Sequence, residues 1–424
     1  MKRINETLLD ILKLERKQVT ELWSEKIDDS LIIHVTQSQN RIKCSHCGSL
    51  NIVKNGHNRK TIKCKLLNDD KTIIKLFYQA FICNDCGKFT SDDPLFAGKK
   101  KHVTDADKSQ IIKDLIQYKS TFNSVGLKYN LSKTEIEKIF DEKVNYERLK
   151  LPQIISIDEC FAKRMFGSKN FFFIIYDFMA SNCVDITLNR KSEHLREYFE
   201  QIDEKERLNV LYVTMDMSDP YRTLMHKYFP NAELCADPFH VIRDLIEYVR
   251  KIKSKVLAKT NNIYLHNLLK DFFDDLVSGK QEKYSKLYKE RTYKHTLTYQ
   301  QLEDAIFSIN EELTQAIKFV QDYIELDKIA TYDSFEHLFK QLINRYPIFF
   351  EKCFRHIRTM FNNWFTEIKN SHVWVNGQRL TNAKAESNNN VLGEMIDATR
   401  GFNNFKRTRN KFMHYINNKD SIKR

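Results

Sequence analysis

Two kinds of residue cluster in this 424-residue chain could hold metal ions. The first is sulfur. Cys44-Ser45-His46-Cys47-Gly48 and Cys83-Asn84-Asp85-Cys86-Gly87 are each Cys-x-x-Cys followed by glycine. A two-residue gap lets two thiolates turn back onto one ion, and two such knuckles make a tetrahedral four-sulfur zinc site. The glycine after each pair can take positive φ, so that backbone N–H groups approach the sulfur. Cys44, Cys47, Cys83 and Cys86 are therefore the expected zinc ligands. Cys64 and His46 are alternative ligands, against the plainer readings of a small core residue and a solvated imidazole. A redox role finds no support, because no thioredoxin-like βαβ pattern surrounds either pair.

The second cluster is oxygen. Ile154-Ile155-Ser156-Ile157-Asp158 and Val210-Leu211-Tyr212-Val213-Thr214-Met215-Asp216 are apolar strand patterns that each run into an aspartate. Either aspartate alone could cap a turn or a helix. Buried carboxylates are costly unless they are paired with cations or metals. If the two strands are neighbours, Asp158 and Asp216 meet and offer a site to Mg²⁺ or Mn²⁺, hard ions that prefer oxygen. Two ions about 3.5–4 Å apart suit phosphodiester cleavage.

Near the C-terminus, Thr381-Asn382-Ala383-Lys384-Ala385-Glu386-Ser387-Asn388-Asn389-Asn390 opens a helix. Glu386, Asn389, Asn390 and Gly393 share one face of it. Such a face packs poorly and suits a metal and a phosphate backbone. The following stretch interleaves basic and aromatic residues, with Lys406, Arg407, Arg409 and Lys411 as expected phosphate contacts. A solvated basic helix packing Phe405, Phe412 and Ile416 is the plainer reading.

These residues need elements to carry them. β-type segments such as 72–78 and 79–82 lie between the knuckles, the layout of a zinc ribbon with an inserted hairpin. Three short helical patterns follow, over 105–118, 122–129 and from Ser132. Ser132-Lys133-Thr134-Glu135 reads as a capping box, and the helix it opens turns Ile136, Ile139, Phe140 and Val144 inward. With Gly126 before the turn at Asn130-Leu131, this is similar to a helix-turn-helix. Lys133, Thr134 and Lys138 are then the DNA-facing residues, against the reading of a plain three-helix packing unit. Residues 150–240 read as a meander of three strands, a helix, a strand, a helix, and a short strand ending at Asp237-Pro238-Phe239-His240. Residues 241–370 read as nearly continuous helix.

Composition narrows the class. Apolar residues are 42% and charged residues 29%, which is globular rather than disordered. The longest strongly apolar run is Phe171–Tyr176, far short of the ~20 residues of a membrane span. No signal peptide or lipidation motif is visible, so a cytoplasmic location with free or metal-bound cysteines is expected. The formal charge is +13, and residues 41–104 (13 basic, 5 acidic) with 371–424 (10 basic, 4 acidic) account for it. Localised positive charge of this kind suits nucleic acid.

The order of these parts, from the Cys44 knuckle to about Tyr415, resembles the insertion-sequence transposases of the ISL-three family, in the DDE superfamily with an RNase H-like core. The resemblance rests on the paired knuckles, the helix-turn-helix, the two strand-end aspartates, and Asp237-Pro-Phe-His240 with the late Glu-Ser-Asn-Asn-Asn. It implies a catalytic triad of Asp158, Asp216 and Glu386 holding two Mg²⁺ or Mn²⁺. It also implies an Asp-x-x-His at Asp237 and His240 that supports the site, with Asn389 and Asn390 beside it. Here Ser387 follows the glutamate where the family usually has glycine, and Glu394 is a rival third carboxylate.

The implied fold is multidomain α+β. It has a lead-in over 1–40, a zinc ribbon over 41–100 and a helix-turn-helix over 104–148. An RNase H-like core over 150–258 and 372–424 is interrupted by an all-α insertion over 259–371. The implied function is binding of terminal inverted repeats, with metal-dependent cleavage and strand transfer of double-stranded DNA. The implied assembly is a homodimer or larger on DNA, at the bacterial nucleoid and away from membranes. A domesticated, inactive DNA-binding regulator is the alternative.

Overall fold

The computed structural model describes all residues except 1–3, 29, 66–70, 97–102, 104, 118, 163–169, 279–287, 290–293, 347–354, 399–403 and 423–424. The chain divides into two compact units, Met1–Glu147 with Glu394–Arg424, and Arg148–Gly393. It mixes helices and sheets throughout.

The first unit opens with helix α1 (Glu6–Leu12), capped by Asn5, whose carboxamide oxygen accepts from Leu8 N. Strands β1 (Val19–Ile27) and β2 (Ser30–Gln37) form a hairpin. Strands β3 (Ile52–Lys65) and β4 (Lys71–Cys83) form a longer one, and β5 (Phe89–Ser91) pairs with β4. β2 and β4 run parallel, which joins both hairpins in one sheet of order β1-β2-β4-β3. Leu8, Leu9, Leu22, Ile33, Val35, Ile62, Ile74 and Leu76 form its core. The lead-in strands thus share a sheet with the segment between the knuckles.

Helices α2 (Asp105–Ile116), α3 (Phe122–Tyr129) and α4 (Lys133–Lys143) follow. The capping box at α4 is present: Ser132 Oγ accepts from Glu135 N, and the Glu135 carboxylate accepts from Ser132 N. The α3–α4 turn depends on two backbone features. Asn130 takes φ +53° and closes α3. A Cβ on Gly126 would lie 2.6 Å from the Leu131 carbonyl oxygen, so only glycine allows this approach. Ile136, Ile139, Phe140 and Val144 are buried.

In the second unit, β6 (Ile154–Ala162), β7 (Asn170–Asp177) and β8 (Cys183–Thr187) make an antiparallel meander. Helices α5 (Ser192–Glu200) and α6 (Glu204–Leu208) lead to β9 (Tyr212–Met215). Helix α7 (Asp219–Tyr228) then leads to β10 (Glu233–Ala236). The sheet order is β10-β9-β6-β7-β8, with β6, β9 and β10 parallel. The first and fourth strands of this unit are therefore neighbours.

Helices α8 (Pro238–Leu257), α9 (Ile263–Val277), α10 (Tyr299–Phe307), α11 (Glu311–Ile329), α12 (Tyr332–Arg345) and α13 (Arg355–Asn370) carry the long helical stretch. One apolar core runs from Ile155, Ile157, Val213 and Met215 through these helices to Ile368. A two-residue hairpin at Trp374–Val375 and Gln378–Arg379 turns through Asn376 and Gly377, both at positive φ as a type I′ turn requires. Helix α14 (Ala383–Ala398) and helix α15 (Phe405–Ile422) complete the chain.

Candidate metal and carboxylate sites

In the first unit the knuckles close on each other. Cys44 Sγ lies 3.7 Å from Cys86 Sγ, and Cys47 Sγ lies 3.6 Å from Cys83 Sγ. A tetrahedral zinc with Zn–S near 2.3 Å places its sulfurs about 3.8 Å apart. A disulfide needs about 2.05 Å, and all four cysteines are free. The four sulfurs could bind zinc. Each knuckle turns alike: Gly48 N donates to Cys44 O, and Gly87 N to Cys83 O, with the glycines at φ +74° and +69°. The Cys47 and His46 backbone N–H groups lower the Cys44 thiol, while at Cys47 the Ser49 N–H is outweighed by the neighbouring sulfurs, which raise the thiol, so without an ion the four sulfurs compete for negative charge that a cation would relieve. His46 is exposed, and its Nε2 sits 3.1 Å from the Phe89 carbonyl rather than among the sulfurs. The Cys64 side chain lies outside what the structure describes.

In the second unit the carboxylates follow from register. Ser156 pairs with Thr214, and Thr214 with Cys235. Two residues further, Asp158, Asp216 and Asp237 fall on one row across three adjacent parallel strands, with neighbours about 4.8 Å apart. Side chains alternate faces along a strand, so all three aspartates share a face, opposite Ile155, Ile157, Val213 and Met215 in the core. Asp158 is not the last residue of its strand, since β6 continues to Ala162. It stands just beyond the end of β9, where β6 keeps only β7 as a partner.

Asp158, Asp216, His240, Glu386, Asn389 and Asn390 line a single cavity of about 480 Å³. Glu394 lies eight residues beyond Glu386, about 12 Å along the helix, and is exposed. His240 Nε2 is 3.0 Å from Asp216 Oδ2, and its Nδ1 is 2.9 Å from Asp237 Oδ2. Burial opposes charging His240, but the two carboxylates outweigh it and raise its pKa to about 9. Asp237 is 3% exposed and also accepts from Asn382 N. Burial, then the neighbouring Asp216 carboxylate, pushes Asp158 up to about 7. Asp216 Oδ1 is buried and has no hydrogen-bond partner. An orphaned carboxylate oxygen beside a second, strained carboxylate fits a divalent cation. Among the described residues, the oxygen and nitrogen ligand atoms that lie within 4.8 Å of one another are those of Asp216, Asp237 and His240; Asp158 and Glu386 share the cavity but are not in that group.

The Glu386 helix is held by residues whose role composition does not reveal. Asn382 donates from Nδ2 to Ile157 O, and its Oδ1 lies 2.5 Å from the Thr214 hydroxyl, itself 2.7 Å from Ser156 Oγ. Asn389 is buried: its Oδ1 accepts from Tyr176 Oη at 2.7 Å, and its Nδ2 donates to Glu159 O. Its carboxamide is thus engaged in clasping helix to sheet. Asn390 is exposed. Glu159 lines the same cavity as Asp158, and Tyr221 and Arg190 bond its carboxylate.

Of the expected DNA contacts, Lys133, Thr134, Lys138 and Lys406 are exposed. The other three point into their own unit. Arg407 pairs with Asp141 at 2.6 Å and Glu137 at 3.1 Å. Arg409 donates to Tyr146 O. Lys411 corrects the expectation of a surface cation: it is 2% exposed, donates to Ser120 O, and is lowered to about 8 by burial. It precedes Phe412 and Met413, both fully buried, so the apolar stripe of α15 carries it inward.

Among the described residues, no helix is long and apolar enough to cross a membrane. No curated protein matches this sequence. A family model described as Transposase, that of the ISL3 group of DDE transposases, matches residues 155–412. That span takes in the sheet, the three aspartates, the long helices and the Glu386 helix, and by it the chain belongs to the ISL3 family of transposases.

Proposed function

We propose that this protein is a DNA transposase that binds the terminal inverted repeats of an insertion sequence and moves it by metal-dependent cleavage and strand transfer. The observation that carries the reading is the single cavity lined by Asp158, Asp216 and Glu386, with Asp216 Oδ1 buried and unbonded. These three carboxylates would hold Mg²⁺ or Mn²⁺. Bound there, the ions would supply Lewis-acid activation and charge neutralisation for in-line displacement at phosphorus.

The chain's own groups do the rest. The Asp237–His240 pair keeps Asp216 Oδ2 hydrogen-bonded, which directs Oδ1 to the remaining role. The Asn382 and Asn389 clasps set Glu386 against the sheet. On this reading 150–258 with the segment from 372 is an RNase H-like core, and 259–371 an inserted helical domain. A zinc ribbon over 41–100 and a helix-turn-helix over 104–148 bind the element ends. The Gly126–Leu131 approach supports the helix-turn-helix, because it packs α3 tightly against the turn into α4. Lys133, Thr134, Lys138 and Lys406 would contact DNA. Pairing of two ends requires at least a dimer in the active assembly.

The test is a cleavage and strand-transfer assay on the element's own ends with Mg²⁺ or Mn²⁺. Joining by the wild type, lost in Asp158→Ala, Asp216→Ala and Glu386→Ala with end binding retained, supports the proposal. Tight end binding without cleavage by the wild type would point instead to a DNA-binding regulator. Activity that survives Glu386→Ala but not Glu394→Ala would move the third carboxylate.

A further inference from the structure

The carboxylate cavity is lined by acidic, cationic and aromatic side chains together. Asp158, Glu159, Asp216, Asp244 and Glu386 share it with Arg190, Arg243 and Phe239. Isolated exposed apolar side chains are ordinary. Phe239 is set apart by where it is and how it is held. It is 52% exposed although it lines a cavity meant for charged chemistry. Pro238 precedes it at the start of α8, and His240 follows it with both ring nitrogens tied to carboxylates. The His240 ring also meets the Phe239 ring edge to face, with centroids 5.7 Å apart. The phenyl ring is therefore presented from a fixed backbone at small entropic cost.

The neighbouring aromatic rings of the cavity are taken. Arg190 stacks on Phe171, 3.7 Å from its centroid, and Tyr221 bonds Glu159. Arg243 lies one helical turn after Phe239, so a ring and a guanidinium are displayed side by side. At about 480 Å³ the cavity is the size that takes one small ligand, not a stretch of duplex. A nucleotide that enters it, base included, leaves the base stack locally, and its base needs a new partner.

We propose that Phe239 is the stacking platform for a nucleobase unstacked next to the scissile phosphate, with Arg243 on a flanking phosphate. This rests on the transposase reading above. It adds a base-binding subsite to the cavity. The subsite tolerates any base, because every base offers a π face.

The test is a cycle between Phe239 and the base. Element-end duplexes are made with a single abasic nucleotide at each position around the cleavage point in turn. Binding is measured by anisotropy without added divalent cation, leaving the zinc in place, and single-turnover cleavage in Mg²⁺. On intact ends, Phe239→Ala and Phe239→Leu are expected to lose about 5- to 150-fold, the range for one base–aromatic stack, while Phe239→Trp retains function. At one abasic position the wild type and Phe239→Ala should become equal, because no base remains to stack. If the ratio of wild type to Phe239→Ala is the same at every abasic position, or Phe239→Leu matches wild type, the subsite is refuted while the transposase reading stands. If the wild type cleaves no element end, the transposase reading fails and the subsite with it.

Discussion

Asp158 should make this protein less stable than it could be. Its carboxyl sits among buried surroundings and the Asp216 charge, so the fold holds the proton up to about pH 7, against an ordinary value of 3.8. The folded state thus binds more protons than the unfolded chain between these values, and stability falls as pH rises through that window. The full difference corresponds to about 4 kcal/mol, a ceiling for a single site. His240 acts in the opposite sense. Its value is raised from 6.5 to about 9, so its contribution is complete below pH 6.5 and is lost as pH rises through 9. Between pH 4 and 6.5, therefore, Asp158 alone drives the decline from this cluster.

Asp158→Asn removes the charge and keeps an oxygen to accept from Glu159 N, now 2.7 Å away. Without added divalent cation at pH 8 the variant should be about 2–4 kcal/mol more stable than wild type, and about equal to it at pH 4. A divalent cation at 100 times its Kd should stabilise the wild type by about 2.7 kcal/mol and the variant far less. Denaturant melts at both pH values, with and without Mn²⁺, read all four states. A variant less stable than wild type at pH 8, or one that keeps the full Mn²⁺ effect, would refute the reasoning.

Three further outcomes are expected. Cys47→Ser should lower bound zinc in elemental analysis and open residues 44–91 to protease, since binding energy at a structural zinc is folding energy. Tyr176→Phe and Asn389→Ala should each weaken the fold, and their double-mutant cycle should show a coupling of about 1–2 kcal/mol in denaturant melts; simple additivity would dissolve the clasp. Lys133→Ala with Lys138→Ala should reduce DNA affinity and flatten its salt dependence by about two phosphate contacts, whereas Lys411→Met should leave that slope unchanged.

Much of the site is legible because its signals are local. A run of apolar residues broken by aspartate marks Asp158, Asp216 and Asp237 without knowledge of the partner strand. Cys-x-x-Cys-Gly marks the knuckles, and Ser132 with Glu135 marks the start of α4. Asn376-Gly377 carries an equally plain hairpin signal. What sequence does not show is which side of an element faces inward when both sides are mixed. Lys411 reads as basic surface, yet the stripe through Phe412, Met413 and Ile416 takes it into the interior. Asn389 reads as a site residue, yet its bond partner Tyr176 lies on a distant strand. Arg190 and Tyr221 join the cavity only through tertiary packing, and no spacing announces them.

The Glu386 helix is fastened to the sheet through Asn382 and Asn389, late in the chain, while the three aspartates come from strands made much earlier. Synthesis therefore delivers the acidic row first and its closing carboxylate last. A nascent chain that has not yet released residues 382–389 from the ribosome holds Asp158, Asp216 and Asp237 with no Glu386 to complete them. On the function proposed here, a product ending early in the long helical stretch would lose the chemistry together with helix α15, whose Arg407 and Lys411 hold Asp141 and Ser120 in the first unit. It would lack both the closing carboxylate and the brace of its DNA-reading helices, so premature termination would silence end binding along with cleavage.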